Sequence, residues 1–137
     1  MKFNSQICTT REQSERLLAL GLKKETADMY YSYDIICAKP YYKVMEFMNG
    51  CVPEDIFPAW SLHRLLSLIP KEVEVNTNPR CGRQWICFNM NFAYNIIYFD
   101  SNQEVFVGFY EGDVYNKSIS CIEWLIKEGY FNKEYLV

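Results

Sequence analysis

The stretch Pro58-Ala59-Trp60-Ser61-Leu62-His63-Arg64-Leu65-Leu66-Ser67-Leu68-Ile69-Pro70 lies near the middle of the chain and separates two kinds of sequence pattern. Four of its apolar side chains follow the i, i+3, i+4, i+7 spacing of one helical face: Leu62, Leu65, Leu66 and Ile69. The spacing predicts a short helix with a buried leucine face. Pro58 is expected at or just before the first helical position, where a missing N–H costs nothing, and Pro70 ends the helix.

The sequence before this stretch predicts a helix over residues 11–20. Thr10 and Gln13 form a capping box at its start, and Gly21 is the usual stop at its end. One helical turn followed by an extended, tyrosine-rich segment is expected over residues 23–33. Alternating side chains after Pro40 are compatible with a further strand over residues 42–48.

The sequence after this stretch changes to strand patterns, with turn residues at 100–103 that indicate a β-hairpin over residues 94–110. The expected strands are Glu72 to Asn76, Arg83 to Asn91, Tyr94 to Phe99 and Glu104 to Tyr110. Both faces of the last strand are largely apolar, which predicts a sheet covered at least in part on both sides. A final helix runs to about Glu128, with Asp113 or Asn116 as its cap and Gly129 as its stop.

The order of these elements predicts an α+β fold in one domain, residues 1–137. We expect an antiparallel sheet of about four strands packed with about three helices. The chain has 137 residues, of which 50% are hydrophobic and 17% aromatic, a composition that excludes a disordered protein.

The net charge of -3 and the pI near 5.2 argue against a protein that coats nucleic acid. No apolar run approaches the roughly 20 residues of a membrane span. Residues 1–10 lack the basic start and apolar stretch of a signal peptide. A cytoplasmic protein without membrane association is therefore expected.

Cysteine usage indicates reduced, buried thiols rather than disulfides or a metal site. The six cysteines include no C-x-x-C pair and no neighbouring histidine: Cys8, Cys37, Cys51, Cys81, Cys87 and Cys121. No glycine-rich phosphate loop is present. We therefore expect neither a metal nor a cofactor.

Four ordered segments resemble a known family. They are Thr-Thr-Arg-Glu-Gln-Ser-Glu-Arg-Leu-Leu at 9–18, Glu-Thr-Ala-Asp-Met-Tyr at 25–30, Pro-Ala-Trp-Ser-Leu at 58–62 and Ile-Glu-Trp-Leu-Ile-Lys-Glu-Gly-Tyr at 122–130. The chain resembles small uncharacterised proteins encoded by gut Bacteroidetes and their phages or other mobile elements. The resemblance implies a cytoplasmic accessory protein of phage-related type, and it transfers no activity, ligand or catalytic residue.

Two tryptophans are candidate binding residues. Trp60, His63, Arg64 and Ser67 fall at i, i+3, i+4 and i+7, opposite the leucine face, with Trp60 and Arg64 spaced for a cation–π contact. Trp124 shares a helical stripe with polar residues on the other side of the final helix from its apolar face: Lys117, Ser120, Lys127 and Glu128. Tryptophan is enriched at interface hot spots, so both predict a partner or homodimer surface. The alternative is that Trp60 packs under a loop beside a solvated His63 and Arg64, and that one or both tryptophans complete the core.

Catalytic and nucleic-acid signals are weaker. Acidic loop residues can pair for acid–base chemistry if the loops meet, and His63 can act as a base beside a cysteine. The acidic candidates are Glu54, Asp55, Glu111 and Asp113. A basic cluster of Lys71, Arg80 and Arg83, with Trp85 beyond it, could bind single-stranded nucleic acid. The alternatives are that the acidic residues lie in solvated turns and that the basic cluster is a solubilising loop.

These observations favour a non-catalytic protein-interaction module that binds a protein partner or a second copy of itself. A small enzyme using His63 or the acidic loops is the alternative, and nucleic-acid binding comes third.

Overall fold

The computed structural model describes residues 6–32, 40–42, 56–78 and 82–137. The helices and strands in these residues are α1 (Arg11–Ala19), β1 (Met29–Ser32), β2 (Pro40–Tyr42), β3 (Ile56–Ala59), α2 (Leu62–Leu68), β4 (Glu72–Asn78), β5 (Gly82–Met90), β6 (Ile96–Phe99), β7 (Val105–Phe109) and α3 (Val114–Glu128). Turns of 3₁₀ helix lie at Lys24–Thr26 and Lys133–Tyr135. The predicted α+β class is confirmed, with three α-helices and a four-stranded antiparallel sheet in the described residues.

The chain groups into two compact units. We call residues 1–66 with 132–137 the N-terminal unit, and residues 67–131 the sheet unit. The prediction of one domain stays a prediction. No helix in the described ranges has both the length and the hydropathy needed to cross a bilayer.

The N-terminal unit begins with α1, whose predicted capping box is confirmed. The Thr10 side chain accepts from the Gln13 backbone, and the Gln13 side chain accepts from the Thr10 backbone. Gly21 follows the helix with φ +97°, a left-handed conformation that favours glycine. An isolated bridge joins Leu22 to Leu136, and the Val137 N–H donates to the Gly21 carbonyl, so the C-terminal residues pack on the segment that follows α1.

A three-stranded antiparallel sheet of order β2-β1-β3 completes this unit. The predicted helical turn and the extended tyrosine segment are present as the Lys24–Thr26 turn and β1. The expectation for Pro58 is wrong, because Pro58 lies in β3 and pairs with Tyr30. β3 is an edge strand, where a residue without an N–H is tolerated. Most of the strand expected over 42–48 lies outside the described residues.

The sheet unit contains a four-stranded antiparallel sheet of order β4-β5-β6-β7. The four predicted strands and the hairpin are confirmed. Asp100 closes the hairpin turn, since its Oδ1 accepts from the N–H groups of Asn102 and Glu104. Asp113 caps α3, Gly129 ends it with φ +79°, and the helix contacts β6 and β7.

The strand registers divide the side chains of this sheet between two faces. The inner face carries buried residues: Val73, Val75, Ile86, Ile96 and Tyr98. The opposite side, which we call the outer face, comprises Glu72, Glu74, Asn76, Arg83, Trp85, Cys87, Asn89, Ile97, Phe99, Val105 and Gly108. Ile97 is buried, whereas Trp85 and Val105 are exposed. The outer face is therefore covered only in part.

Candidate functional site

Trp60 does not lie on the predicted helical stripe. The helix begins at Leu62, and Trp60 occupies the connection before it, fully buried. Its indole Nε1 donates to Thr26 Oγ1 at 3.0 Å, and its backbone N–H donates to Thr9 Oγ1 at 3.0 Å. The burial of Trp60 agrees with the alternative that it completes the core rather than with a binding stripe, and two buried threonines supply the acceptors that let its ring enter the core.

Ser61 sets the start of α2. Its hydroxyl accepts from the Arg64 backbone N–H at 3.1 Å, as a helix cap does. Asp28 holds Ser61 in turn, since one carboxylate oxygen accepts from the Ser61 N–H at 2.8 Å and the other accepts from its hydroxyl. This cap explains why the helix starts four residues after Pro58 rather than at it.

The remaining residues of the stripe have different environments. His63 and Ser67 are exposed on α2, whereas Arg64 is half-buried, with its Nε donating to the Thr26 carbonyl at 2.6 Å. Arg64 also lines an open groove of about 920 Å³ in the N-terminal unit, together with Leu22 and Tyr135. The groove rim carries both signs of charge: Lys23, Lys24, Glu25, Arg64 and Glu134. The charges of the rim therefore indicate no preference for an anionic or a cationic ligand.

Trp124 lies in an aromatic cluster of the sheet unit. Its ring centroid is 6.0 Å from that of Tyr98, 6.2 Å from that of Phe109 and 5.7 Å from that of Tyr130. Trp124 is half-buried, and Lys117 on the same stripe is buried with its Nζ donating to the Ala93 carbonyl. Trp124 therefore agrees with the alternative that it completes the core, because its ring packs on β6 and β7, whereas Lys127 and Glu128 of the same stripe are exposed.

An exposed aromatic surface is found on the outer face of the four-stranded sheet rather than on the helices that carry the predicted stripes of Trp60 and Trp124. Trp85 is 54% exposed and Val105 is 52% exposed. Cys87 pairs with Phe99, and Phe99 pairs with Val105, so these three side chains form one row across three strands. We call Trp85 together with this row the apolar patch.

Sequence reasoning considered Trp85 only for nucleic-acid binding and assigned the rest of the apolar patch no binding role, although a signal was present. In β5, Trp85 and Cys87 alternate with the buried Ile86 and therefore point away from the core. The alternation identifies Trp85 as exposed. Placing Phe99 and Val105 beside Cys87 requires the strand register, which depends on pairing between strands rather than on local pattern.

The predicted basic cluster is divided between the two faces. Lys71 Nζ lies 5.2 Å from the ring centroid of Phe88, which contacts Tyr98 on the inner side. Arg83 is on the outer face, with Nη1 3.7 Å from Glu74 Oε1. Arg80 lies outside the described residues.

The acidic and thiol candidates do not form a site in the described ranges. Glu111 and Asp113 are exposed, and Asp113 Oδ1 accepts from the Asn116 N–H as the α3 cap, while Glu54 and Asp55 lie outside these ranges. No three His, Cys, Asp or Glu side chains within them converge as metal ligands.

Three cysteines in the described residues are free thiols: Cys8, Cys87 and Cys121. Cys8 and Cys121 are buried as expected, and burial raises the pKa of each thiol. The expectation of burial is wrong for Cys87, which lies exposed on the outer face.

Comparisons of the chain with protein-family models, curated proteins and solved structures find no match. The family resemblance of the four sequence segments therefore stays a prediction.

Proposed function

We propose that this chain is a non-catalytic protein-interaction module that binds its partner on the outer face of the sheet unit. The observation that carries the proposal is the row Cys87, Phe99 and Val105, with the half-exposed Trp85 beside it. Directly paired residues on one face have Cβ atoms about 4.5–5.5 Å apart, which places Cys87 beside Phe99. Val105 is the partner of Phe99 on the next strand, across a shift of register, so the three residues are neighbours rather than a scatter of single exposed residues.

The surroundings of the apolar patch support this proposal. The outer positions of the neighbouring strand β4 are polar and exposed: Glu72, Glu74 and Asn76. Protein interfaces commonly combine an apolar, aromatic centre with a polar rim. Trp85 supplies the residue type most enriched among interface hot spots.

The first experiment is selection of a displayed random-peptide library on the immobilised full chain. We expect the wild type to enrich peptide families, and the double variant Trp85→Ser/Val105→Ser to lose them. Both positions are exposed, so the variant should unfold at nearly the wild-type denaturant concentration. Phe92→Ser is the matched control, because Phe92 is fully exposed in the turn between β5 and β6 and lies off the outer face.

Absence of enrichment by the wild type, or equal enrichment by the double variant, would contradict the proposal. A partner of phage or mobile-element origin, as the sequence resemblance implies, and a cytoplasmic location remain predictions that this selection does not address.

A further inference from the structure

The charges around the apolar patch specify a partner more narrowly than the patch alone. Glu74 lies directly opposite Trp85, and Glu72 lies directly opposite Cys87. All four residues are exposed on the outer face. An aromatic ring beside carboxylates is chemistry that favours a cationic side chain, through the ring face and through charge-assisted hydrogen bonds.

Arg83 is an example of a cationic side chain beside a carboxylate of the outer face. Its Nη1 is 3.7 Å from Glu74 Oε1, and the two side chains are 75% and 39% exposed. An ion pair this exposed is weak, so a cation from a partner can readily replace Arg83 beside Glu74. Among the described residues of the outer face, Arg83 is the one basic side chain, against the two carboxylates of Glu72 and Glu74.

The sheet unit as a whole is negatively charged, like its outer face. Residues 67–131 contain five basic and eight acidic residues, so this unit carries the entire net charge of -3. A second copy docking through the same face would bring these carboxylates against each other, and nucleic acid would bring phosphates against them. The partner that complements the face is a separate, basic protein segment.

We propose that the outer face binds an extended protein segment whose docking side, formed by every second residue, carries both Lys or Arg and apolar side chains. The apolar side chains lie on Trp85, Phe99 and Val105, and the cations reach Glu72 and Glu74. This inference rests on the proposed function and adds the chemistry of the partner.

The test measures binding of three fluorescent synthetic peptides to the full chain by anisotropy at low salt. In each peptide Ser occupies every second position, and the positions between alternate Val with one variable residue, which is Lys, Ser or Glu. Val and the variable residue therefore lie on the same side of the extended peptide. We expect the Lys-Val peptide to bind at least about tenfold more tightly than the Glu-Val peptide, and its affinity to fall as salt is added. Trp85→Ser should weaken its binding by about tenfold, because the apolar contact is lost.

The carboxylates are tested by Glu72→Gln/Glu74→Gln, which should weaken the Lys-Val peptide by about three- to tenfold. Glu123→Gln/Glu128→Gln is the matched control, since it makes the same change of net charge at exposed positions of α3. We expect this control to bind within about twofold of the wild type, because screening weakens charges beyond the contact.

Equal binding of the Lys-Val and Ser-Val peptides would overturn the inference while leaving face-dependent docking intact. Equal losses in the two Gln variants would overturn it as well, because they would show an effect of net charge alone. Failure of every peptide, or a homodimer that Trp85→Ser dissociates, would also overturn it. The library selection judges the proposed function separately, since its displayed peptides are not restricted in charge.

Discussion

At the scale of single residues, two buried threonines determine where Trp60 lies. Thr26 Oγ1 accepts from the Trp60 indole and donates to the Lys23 carbonyl at 2.7 Å, so both of its hydrogen-bonding functions are used. Thr9 accepts from the Trp60 backbone and contacts the Ser14 hydroxyl at 2.7 Å. No buried side-chain nitrogen or oxygen in the described residues lacks a partner. A buried indole without an acceptor would be destabilising.

Thr26→Val should therefore lower the free energy of unfolding by about 1–3 kcal/mol, because it leaves the Trp60 Nε1–H without an acceptor. Urea unfolding of four proteins measures this: wild type, Thr26→Val, Trp60→Phe and the double variant. In the Trp60→Phe background no indole N–H remains, so Thr26→Val should lower the free energy of unfolding by measurably less than it does in the wild type. Equal costs in the two backgrounds would show that the indole hydrogen bond contributes nothing.

At the scale of elements, the start of α2 depends on two side chains far apart in sequence. Ser61 caps the Arg64 N–H, and Asp28 accepts from both the backbone and the hydroxyl of Ser61. Asp is ordinarily as good a cap as Ser. Here a second carboxylate would lie beside Asp28, within the range where like charges repel strongly.

Ser61→Asp should consequently destabilise the chain by about 1–3 kcal/mol, although the same exchange is neutral at most helix starts. Thr10→Asp is the control, because Thr10 is the exposed cap of α1 and accepts from the Gln13 N–H in the same way. Chemical denaturation measures the free energy of unfolding of both variants. If Ser61→Asp is as stable as Thr10→Asp, Asp28 does not constrain the cap.

The elements that could be predicted from sequence are those with local signals. The capping box at Thr10, the glycine at 129 and the turn at Asp100 each determine their structure within a few residues, and each is present as expected. The start of α2 could not be predicted, because Pro58 and Ser61 offer competing starts and the pairing of β3 with β1 decides between them.

At the scale of the whole molecule, the acidic charge is unevenly distributed. Residues 1–66 and 132–137 contain nine acidic and nine basic residues, so the excess of negative charge belongs to residues 67–131 alone. This imbalance can be read from sequence, but its meaning depends on strand register, which puts Glu72 and Glu74 on the same face as Trp85. An acidic unit attracts cationic partners over distances longer than a contact.

The stability of the whole chain should also fall in alkaline solution. Burial raises the pKa of the Cys121 thiol and of the Tyr98 phenol, whose hydroxyl donates to the Pro70 carbonyl at 2.6 Å. The folded chain therefore keeps protons that the unfolded chain releases. Because the folded pKa is raised, the contribution of Cys121 is complete below the unfolded thiol pKa of about 8.5 and is lost as the pH rises towards the folded value.

We expect the free energy of unfolding to decrease above about pH 8.5, with Cys121 contributing up to about 1.4 kcal/mol per pH unit. Cys121→Ala removes this proton and should make the decline shallower by that amount, even though the smaller side chain lowers stability at neutral pH. Cys87→Ala is the control for removing a cysteine at an exposed position. Urea unfolding from about pH 7 to 10 under reducing conditions compares the slopes, and identical slopes for Cys121→Ala and the wild type would exclude the buried thiol as the cause.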